Sequence, residues 1–312
     1  MIGGQKLKIL ITGGAGFIGS HLVEKLLKEN CQVLVLDNLH TGLKENIPEG
    51  VPLLEMDVRD EKVLSVFAKE KFDAIVHLAG QTMVNVSVDD PQFDAAVNIQ
   101  GTINILEAAR KTGVKRVIFA STAAAYGDAK ELPIVETTAL LPLSFYGLSK
   151  VTVERYLKLY HEIFNLDYVV LRFANVYGER QGDGGEGGVI SIFTKRIASG
   201  KAITIYGDGG QTRDFVYAGD IAAGIYCALT TGNVNTAYNL STQTEVSVNA
   251  MVALFDDITG KHVVPQYGTA RKGDIYRSIL SNAKAIADLG WKPVMSLAEG
   301  LQRTYHSFSQ HK

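Results

Sequence analysis

The sequence lacks several features that would place it in a specialised class of protein. Its 312 residues include only two cysteines, Cys31 and Cys227, which lie far apart, so a disulfide framework is not expected. No apolar run approaches the roughly 18 to 20 residues needed to cross a bilayer, and the seven histidines fall at no zinc-ligand spacing. The sequence therefore predicts no metal site and no membrane span.

The sequence also has little net charge and shows no pattern of a targeting segment. A formal net charge of −2 offers no broad attraction to nucleic acid or to anionic lipid. The start, MIGGQKLKILITGG, lacks the charged region, apolar run and small-residue cleavage site of a secretory signal. With 46% apolar residues, a chain of this length can bury a hydrophobic core large enough to be stable without disulfide bonds or metal ions. We therefore expect a cytoplasmic protein with a small-molecule ligand and no nucleic acid or membrane partner.

What the first half does contain is an alternation of short apolar runs with longer amphipathic ones. The strand-length runs are KILIT (8–12), QVLVLD (32–37), PLLEMD (52–57), FDAIVHLAG (72–80), RVIFAST (116–122) and YVVLRFANVYG (168–178). Helices are predicted from Gly16 to Glu29, after Asp60, from about Pro91 to Thr112 and from about Phe145 to Phe164. Such strands separated by helices indicate a parallel sheet covered on both faces. The predicted fold class is α/β, doubly wound.

The amino-acid composition changes after Gly178. Six glycines occur in the eleven residues GERQGDGGEGG (178–188), which predicts a mobile loop over a ligand, with a linker between independent domains as the alternative. Beyond it, the strand AITIYG and helices near 189–199, 219–231, 247–260 and 297–309 indicate a smaller, irregular lobe.

A glycine-rich turn, ITGGAGFIGSHL (11–22), lies between the first predicted strand and helix. Gly13, Gly16 and Gly19 satisfy a dinucleotide-binding pattern, in which glycines let the backbone approach a pyrophosphate at the start of a helix. A tight strand-to-helix turn without a ligand is the alternative. Asp37 favours the dinucleotide, since it ends the second strand where a carboxylate meets the adenosine ribose.

The type of dinucleotide follows from the same strand end. The Asp37 carboxylate would repel a 2′-phosphate, and no arginine stands at 38 to 40, so NAD is expected rather than NADP. Asp57 ends the third strand and is placed for the adenine amino group, or it caps a helix before Glu61. We expect an NAD-binding Rossmann domain over residues 1–174, with return segments near 214–240, and a discontinuous substrate-binding lobe mainly over 175–312.

A tyrosine and a lysine stand one helical turn apart in SFYGLSK (144–150). Tyrosine ionises near pH 10 in water, so Tyr146 acts as a base near neutrality only if a positive charge stands beside it. Lys150 supplies one such charge, and a bound nicotinamide cation would add a second. Lowering the phenol from about 10 to about 7 requires roughly 4 kcal/mol of preference for its anion.

Several motifs in order resemble the extended short-chain dehydrogenase/reductase family of nucleotide-sugar enzymes, over nearly the whole chain. They are TGGAGFIG (12–19), HLAG (77–80), Asn98 in NIQGT, STAAAYG (121–127), Tyr146 with Lys150, RFANVYG (172–178), GDGGQTRDFVY (207–217) and RKGD (271–274). The resemblance implies an NAD-dependent enzyme in which Thr122, Tyr146 and Lys150 are catalytic. Thr122 would hydrogen-bond the reacting sugar hydroxyl, and Lys150 would also hold the nicotinamide ribose.

The resemblance also implies a set of cofactor contacts. They are Gly13, Gly16, Phe17, Ile18, Gly19, Asp37, Asn38, Asp57, Val58, Leu78, Ala79, Gly80, Asn98, Ser121, Tyr146, Lys150 and Tyr177. Dehydratases of this superfamily carry an Asp-Glu pair after the equivalent of Thr122, whereas this sequence has Ala123 and Ala124, which transfer no proton. The pattern looks like that of UDP-hexose 4-epimerases, which oxidise carbon 4, turn the keto sugar and reduce its other face.

Substrate contacts carried over from the resemblance are Thr122, Tyr146, Asn175, Val189, Arg213, Arg271, Asp274 and Ser278. Guanidinium forks match phosphate oxygens, so Arg213 and Arg271, with Asn175, would hold the UDP diphosphate while the sugar turns. Asp274 would contact the uridine ribose or orient Arg271. Ser278 falls where strict UDP-glucose/UDP-galactose epimerases place a bulky aromatic, so UDP-GlcNAc and UDP-GalNAc are expected to fit as well.

Three alternatives remain open from the sequence. A UDP-glucuronate 4-epimerase shares the chemistry but tends to have a basic residue where Gly182 stands, and here Arg180 precedes it. A catalytically silent dinucleotide-binding sensor is disfavoured because Thr122, Tyr146 and Lys150 occur together. The helices at 91–112 and 145–164 have apolar stripes that, by the resemblance, pair across a twofold axis in a homodimer, which we expect, with burial on their own sheet as the alternative; the stripes include Ile99, Ile103, Leu106, Val153, Leu157 and Leu159.

Overall fold

The computed structural model describes residues 6–182, 188–260, 262–270 and 275–309, and its first half alternates strands with helices. The elements are β1 (Lys8–Thr12), α1 (Phe17–Lys28), β2 (Gln32–Asp37), β3 (Leu53–Glu55), α2 (Val63–Glu70), β4 (Ala74–His77), α3 (Val84–Asp89), α4 (Pro91–Ala95), α5 (Gly101–Thr112), β5 (Arg116–Thr122), α6 (Phe145–Phe164) and β6 (Asp167–Phe173). A π-helical turn, Ala96–Gln100, joins α4 to α5, and single 3-10 turns span Lys44–Asn46 and Ala123–Ala125.

The second half has shorter strands and longer connections. Its elements are β7 (Asn175–Tyr177), α7 (Val189–Ala198), β8 (Thr204–Tyr206), β9 (Thr212–Arg213), β10 (Phe215–Tyr217), α8 (Ala218–Thr230), β11 (Thr236–Leu240), β12 (Val246–Ser247), α9 (Val248–Thr259), β13 (Gln266–Gly268), α10 (Ala283–Leu289) and α11 (Leu297–Ser309). The glycine-rich loop expected at 178–188 lies partly outside the described residues. None of the helices in the described ranges is long and apolar enough to cross a membrane.

One parallel sheet of seven strands organises the fold, in the order β11-β6-β5-β4-β1-β2-β3. Every neighbouring pair is parallel, so all seven strands end at the same edge of the sheet. The strand order reverses at β1, whose Thr12 lies beside Leu36 of β2 on one side and His77 of β4 on the other. Parallel open sheets bind ligands outside the strand ends at such a reversal.

Helices cover both faces of the sheet because successive side chains along a buried strand point to opposite sides. In β1, Ile9 and Ile11 pack into one buried cluster, and Leu10 packs into the other. The first cluster lies beneath α1 and α8, which pack against one another. The second lies beneath α2, α5 and α6. The prediction of a doubly wound α/β fold is confirmed.

The run at 168–178 differs from its prediction as one continuous strand. It divides at Ala174 into β6, which lies in the large sheet, and β7, which pairs with β10 in a separate two-stranded sheet. The amide of Asn175 donates to the carbonyl of Asp214 at 2.9 Å, and this long-range bond takes the chain away from the large sheet.

A second core lies beyond the large sheet. Side chains of α7, α9 and α11 form it together with β10, and its buried members include Phe193, Phe255 and Leu301. The chain returns to the large sheet with α8 and with β11, which extends the sheet by pairing with β6. The division of the chain at residue 174 stays a prediction.

Candidate active site

A cavity of about 390 Å³ opens at the carboxyl ends of β1, β2, β4 and β5, where the strand order reverses. Of the residues expected to contact a cofactor, it is lined by Gly13, Gly16, Phe17, Ile18, Gly19, Asp37, Asn38, Asp57, Val58, Leu78, Ala79, Gly80, Ser121, Tyr146 and Lys150. Thr122 lines it as well. The structure therefore brings the dinucleotide pattern and the candidate catalytic residues to one cavity.

The glycine-rich turn between β1 and α1 is built so closely that side chains do not fit. Gly13 has φ +72°, and a Cβ there would lie 2.6 Å from the amide nitrogen of Ala79. A Cβ on Gly19 would lie 2.1 Å from the carbonyl oxygen of Gly13. The open backbone and the start of α1 thus form a cradle of the kind that accepts a pyrophosphate.

Asp37 lies at the end of β2 with its carboxylate held by backbone amides. Ala15 and Leu39 each donate to it at 2.9 Å, and the side chain is buried. Burial raises the pKa of Asp37, and the two amide donors oppose that rise. A buried carboxylate at this strand end fits the ribose hydroxyls of NAD and disfavours a 2′-phosphate.

Asp57 also lines the cavity, where it belongs to a charged cluster. Arg59 donates to both of its oxygens, at 2.8 and 2.9 Å, and Asn38 donates to one of them at 2.8 Å. The Arg59 bonds lower the pKa of Asp57 to about 2. Because α2 begins only at Val63, Asp57 does not cap that helix, and the alternative interpretation as a helix cap is wrong. Its contact with adenine stays a prediction.

His77, at the end of β4, supports the floor of the cavity through a directed chain of hydrogen bonds. Thr12 accepts from the amide of Ala79 at 3.3 Å and donates to Nδ1 of His77, 2.6 Å away. On the other side, Nε2 donates to Thr102 at 2.9 Å, and Thr102 donates to the carbonyl of Asn98. Burial, followed by the charge of Lys150, lowers the pKa of His77 to about 3, so it is neutral here.

Lys150 is buried beneath the cavity, one turn after Tyr146 on α6. Its ammonium donates to the carbonyl of Ala120 at 3.0 Å and lies 4.9 Å from the centre of the Phe119 ring. Burial lowers its pKa to about 8, although Asp94 opposes this fall. An amine with this pKa remains mostly charged at neutral pH.

Tyr146 stands in the first turn of α6, where the helix begins. The Ser144 hydroxyl accepts from the amide of Gly147 at 3.1 Å and so caps the helix. The ammonium of Lys150 lies 5.9 Å from the centre of the Tyr146 ring, which is half-buried in the cavity wall. The structure therefore holds the predicted cation beside the face of the Tyr146 ring.

Thr122 and Ser121 end β5 beside this pair. The Thr122 oxygen accepts from the amide of Ala124 at 3.1 Å, which fixes the turn that carries Ala123 and Ala124. The Ser121 hydroxyl donates inward to Glu154 at 2.6 Å, and Glu154 is in turn paired with the buried guanidinium of Arg172. Glu154 lies one turn beyond Lys150, so α6 also holds the end of β5 in place.

Asn98 and Tyr177, both expected at the cofactor, do not line the cavity. Asn98 is buried and clamps the backbone of Gln81, accepting from its amide at 2.8 Å and donating to its carbonyl at 2.9 Å. Tyr177 packs in the second core with its hydroxyl 3.5 Å from the carbonyl of Ser296. Val176, its neighbour in β7, lines the cavity, and Tyr177 lies on the opposite face of that strand.

Part of the expected substrate set comes together beside the cavity. Asn175 follows Ala174, which lines the cavity, and bonds to Asp214, the residue after Arg213. Arg213 donates to the carbonyl of Thr212 at 2.7 Å, and Thr212 bridges to Arg277, next to Ser278. Val189 begins α7. Arg271 and Asp274 lie outside the described residues.

Several cavity residues were not expected from the sequence. They are Leu36, His40, Thr41, Met56, Arg59, Gln81, Thr82, Met83, Val86, Phe93, Val97, Ala120, Phe173, Ala174, Val176 and Gln181. Gln81 directly follows HLAG, and Phe173, Ala174 and Val176 lie within RFANVYG, so extending the first motif by one residue and including the whole of the second finds them. Phe93 carries no such signal, since it reaches the cavity from α4.

Comparison with known proteins agrees with this geometry. Residues 9–241 match the model of the NAD dependent epimerase/dehydratase family. A putative UDP-glucose 4-epimerase of Methanocaldococcus jannaschii is 43% identical over 296 residues, which cover 95% of this chain and 96% of the relative. The chain belongs to the NAD dependent epimerase/dehydratase family. The family predicted from the motifs, with NAD as its cofactor, is confirmed.

Solved structures of this epimerase/dehydratase family superpose over nearly the full chain. A UDP-glucose 4-epimerase of Thermotoga maritima, solved with UDP-glucose, gives a TM-score of 0.95 at 42% identity and covers 98% of this chain and 99% of its own. The enzyme of Thermus thermophilus, solved as a complex with NAD, gives 0.91 at 41% identity and covers 97% and 99%. The glycine cradle and Asp37 of the present chain fit the same cofactor.

Proposed function

We propose that this protein inverts carbon 4 of a UDP-hexose, interconverting UDP-glucose and UDP-galactose through a transient 4-keto sugar. The observation that carries the proposal is the Tyr146 phenol beside the buried Lys150 ammonium, at the wall of a cavity that also holds the dinucleotide cradle. Ala123 and Ala124 follow Thr122 in the chain and offer no group for the elimination of water.

The proposed chemistry assigns a separate task to each polar side chain. The Lys150 charge stabilises the Tyr146 phenolate, which accepts the proton of the 4-hydroxyl, stays a neutral phenol while carbon 4 is oxidised, and then returns the proton. Thr122 orients the same hydroxyl. NAD, when bound, supplies the hydride acceptor for carbon 4 and gives the hydride back. Asp37 and the cradle around Gly13 hold the cofactor in place for both directions.

Inversion requires the sugar to turn while its nucleotide stays anchored. Arg213 and Asn175, which the backbone brings to one side of the cavity, bind the diphosphate in this proposal. The resemblance adds Arg271 as a second phosphate ligand and Asp274 as its orienting partner or a ribose contact, and it adds Val189 to the substrate pocket. Fixed phosphate contacts make the turning of the sugar an event within one site.

The size of the sugar pocket decides between plain and N-acetylated hexoses. Ser278 is half-buried next to Arg277, whose backbone bridges to Thr212 beside the candidate phosphate ligand Arg213. A serine here leaves space for an acetamido group, so activity extends to UDP-GlcNAc and UDP-GalNAc. Ser278→Tyr should remove that activity and spare UDP-galactose, whereas equal turnover of UDP-GlcNAc by both proteins would refute the extension.

A uronic acid substrate is less well supported by the same region. The substrate carboxylate would need a basic partner after VYGER, and Gly182 has no side chain to offer. Arg180 precedes it, but its guanidinium is paired with Glu24 of α1. UDP-glucuronate therefore remains the second candidate, and turnover of UDP-glucuronate alone would replace the first.

Assembly and location complete the proposal. Leu106, Val153 and Leu157 are buried on the chain's own sheet, in line with one of the two alternatives, but α6 leaves Leu148, Leu159 and Ile163 exposed along its outer face. These positions recur at helical spacing and form an apolar stripe that a second copy would cover. A homodimer through α6 and a cytoplasmic location are part of this proposal.

The test is a substrate panel followed to equilibrium without added NAD. UDP-galactose, UDP-glucose, UDP-GlcNAc, UDP-GalNAc and UDP-glucuronate are compared for the unaltered protein, Tyr146→Phe and Tyr156→Phe, a matched change on the same helix. Loss of the phenol proton carrier should slow turnover about 100-fold or more, and Tyr156→Phe should not. Conversion of none of the five sugars by NAD-loaded protein would favour a silent dinucleotide-binding sensor.

A further inference from the structure

A buried carboxylate that the proposed chemistry does not use lies beneath the cavity. Asp94, on α4, is 1% exposed, and among the described residues no lysine or arginine forms an ion pair with it. Its Oδ1 accepts from Nε2 of Gln81 at 2.8 Å and from Nδ2 of Asn98 at 3.1 Å. A buried charge is costly unless donors satisfy it, so its retention calls for a physical reason.

The two donors link Asp94 to the floor of the active site. Asn98 clamps the backbone of Gln81, and Gln81 itself lines the cavity. A Cβ placed on Gly80 would lie 2.9 Å from Oδ1 of Asn98 and 3.3 Å from Nζ of Lys150. Asn98 and the Lys150 ammonium therefore both lie beside Gly80, and Asn98 connects this position to Asp94.

The groups that face Lys150 come from four elements. They are His77 from β4, Asp94 from α4, Phe119 and the carbonyl of Ala120 from β5, and Tyr146 from its own helix α6. His77 is neutral, and the Phe119 ring and a carbonyl carry no formal charge. Asp94 is linked to this group through Asn98, which donates to Asp94 and to the Ser149 hydroxyl next to Lys150 in the chain, and the Asp94 charge opposes the fall that burial causes in the pKa of Lys150.

We propose that Asp94 is a positioning residue: it holds Gln81 and Asn98 against the end of β4 and keeps the Lys150 ammonium charged beneath the cavity. Burial alone favours the neutral amine, which could not support a phenolate at Tyr146. The fixed negative charge of Asp94 offsets that tendency. A second consequence for the cavity is that Gln81 is held twice, because Asn98 binds its backbone and Asp94 binds its side-chain amide.

The direct test is an NMR titration of Lys150 in protein labelled with ¹³C,¹⁵N-lysine, with the resonance assigned by Lys150→Arg. The midpoint should lie near pH 8 in the unaltered protein. It should fall by about one pH unit in Asp94→Asn, the low end of the shift that an opposite charge produces, because the variant removes that charge. Asp89→Asn removes a nearby exposed acid and should leave the midpoint unchanged.

Two outcomes would overturn the proposal. One is a folded Asp94→Asn protein whose Lys150 midpoint matches that of the unaltered protein. The other is a midpoint below about 7 in the unaltered protein, since Lys150 would then be neutral despite Asp94. If Asp94→Asn does not fold, Asp94→Ser gives a second neutral variant, and the measurement on the unaltered protein remains decisive.

A pH profile connects the charge to turnover, and this part of the inference rests on the proposed function. Because the protonated amine is the active form, Asp94→Asn should move the alkaline limb of turnover to lower pH. A fall of one unit leaves roughly fivefold less activity near pH 8 and a smaller loss near pH 6.5. The NMR titration does not depend on turnover. If the unaltered protein is inactive but the Lys150 midpoint falls in Asp94→Asn, the proposed function is refuted and this inference is supported.

Discussion

His77 is held in its neutral form by partners that fix both ring nitrogens. The Thr12 hydroxyl serves Nδ1 as a donor and Thr102 serves Nε2 as an acceptor, so a proton added to Nδ1 would face another donor. The cost of that conflict adds to the cost of burying a cation next to Lys150. One residue thereby makes the fold beneath the cavity sensitive to acid.

The sign of this pH dependence follows from the pKa of His77, which is lowered from 6.5 to about 3. The unfolded chain binds a proton that the folded chain refuses, so the stabilisation is complete above about pH 6.5 and is lost as the pH falls toward about 3. Each unit within that window costs up to about 1.4 kcal/mol of unfolding free energy. When the free energy of unfolding is measured with denaturant at several pH values, it should fall less steeply toward acid pH for His77→Gln than for the unaltered protein.

The control for this slope is His306→Gln, which alters an exposed histidine on α11. It should keep the acid slope of the unaltered protein. Parallel curves for His77→Gln and the unaltered protein between about pH 6.5 and pH 4 would contradict the account of His77.

At the scale of the element, the turn from β1 into α1 depends on contacts that leave no room for a methyl group. A Cβ on Gly19 would meet the carbonyl oxygen of Gly13 at 2.1 Å and Cα of Gly14 at 2.6 Å, and both are backbone atoms that cannot rotate away. Gly19→Ala should therefore displace α1, lower the free energy of unfolding by about 1–3 kcal/mol and reduce the NAD that copurifies.

Gly232→Ala provides the matched change, because a Cβ there meets nothing within 4 Å and the residue is exposed. It should alter neither the melting temperature nor the bound NAD, which is quantified after release from denatured protein. Full NAD occupancy in Gly19→Ala would show that the close turn is not needed for the cofactor.

Elements fixed by local pattern were predictable from the sequence. The bounds of β1, β2, β5 and α6 agree with the runs KILIT, QVLVLD, RVIFAST and 145–164, because apolar period and helix capping act over a few residues. The run at 168–178 was predicted wrongly as one strand. Its division depends on a bond from Asn175 to Asp214, about which the local pattern carries no information.

For the candidate site, the residues that lie inside short motifs were predictable, and those that meet only in the fold were not. Residues inside short motifs, such as Gly13, Asp37 and Lys150, reach the cavity because each motif is itself a strand end or a helix start. The sequence did not identify Asp94, because its role depends on Gln81, which lies 13 residues earlier and contacts it only in the folded chain. Tyr177 packs in the second core, on the face of β7 opposite to Val176, and its contact with the cofactor stays a prediction.

At the scale of the whole molecule, the apolar outer face of α6 is the interface of the proposed homodimer. Leu159 is 50% exposed, and with Leu148 and Ile163 it forms a stripe on the helix that carries Tyr146 and Lys150. A charge in the centre of a dimer interface is strongly unfavourable. Leu159→Asp should therefore sediment as a species near the chain mass of 33.8 kDa, while the unaltered protein sediments at twice that mass.

Leu64→Asp is the control for this experiment, since Leu64 is also exposed but lies on α2, on another part of the surface. It should leave the dimer intact. Sedimentation of the unaltered protein as a monomer at micromolar concentration would contradict the proposed interface.

The central claim is that the hydrogen on carbon 4 leaves the sugar and returns to it without meeting water. The most direct test converts UDP-galactose in deuterium oxide, without added NAD, and examines carbon 4 of the UDP-glucose formed. The account predicts inversion with no deuterium at carbon 4, because Tyr146 handles only the hydroxyl proton and the cofactor keeps the hydride. Deuterium bound to carbon 4 would contradict it.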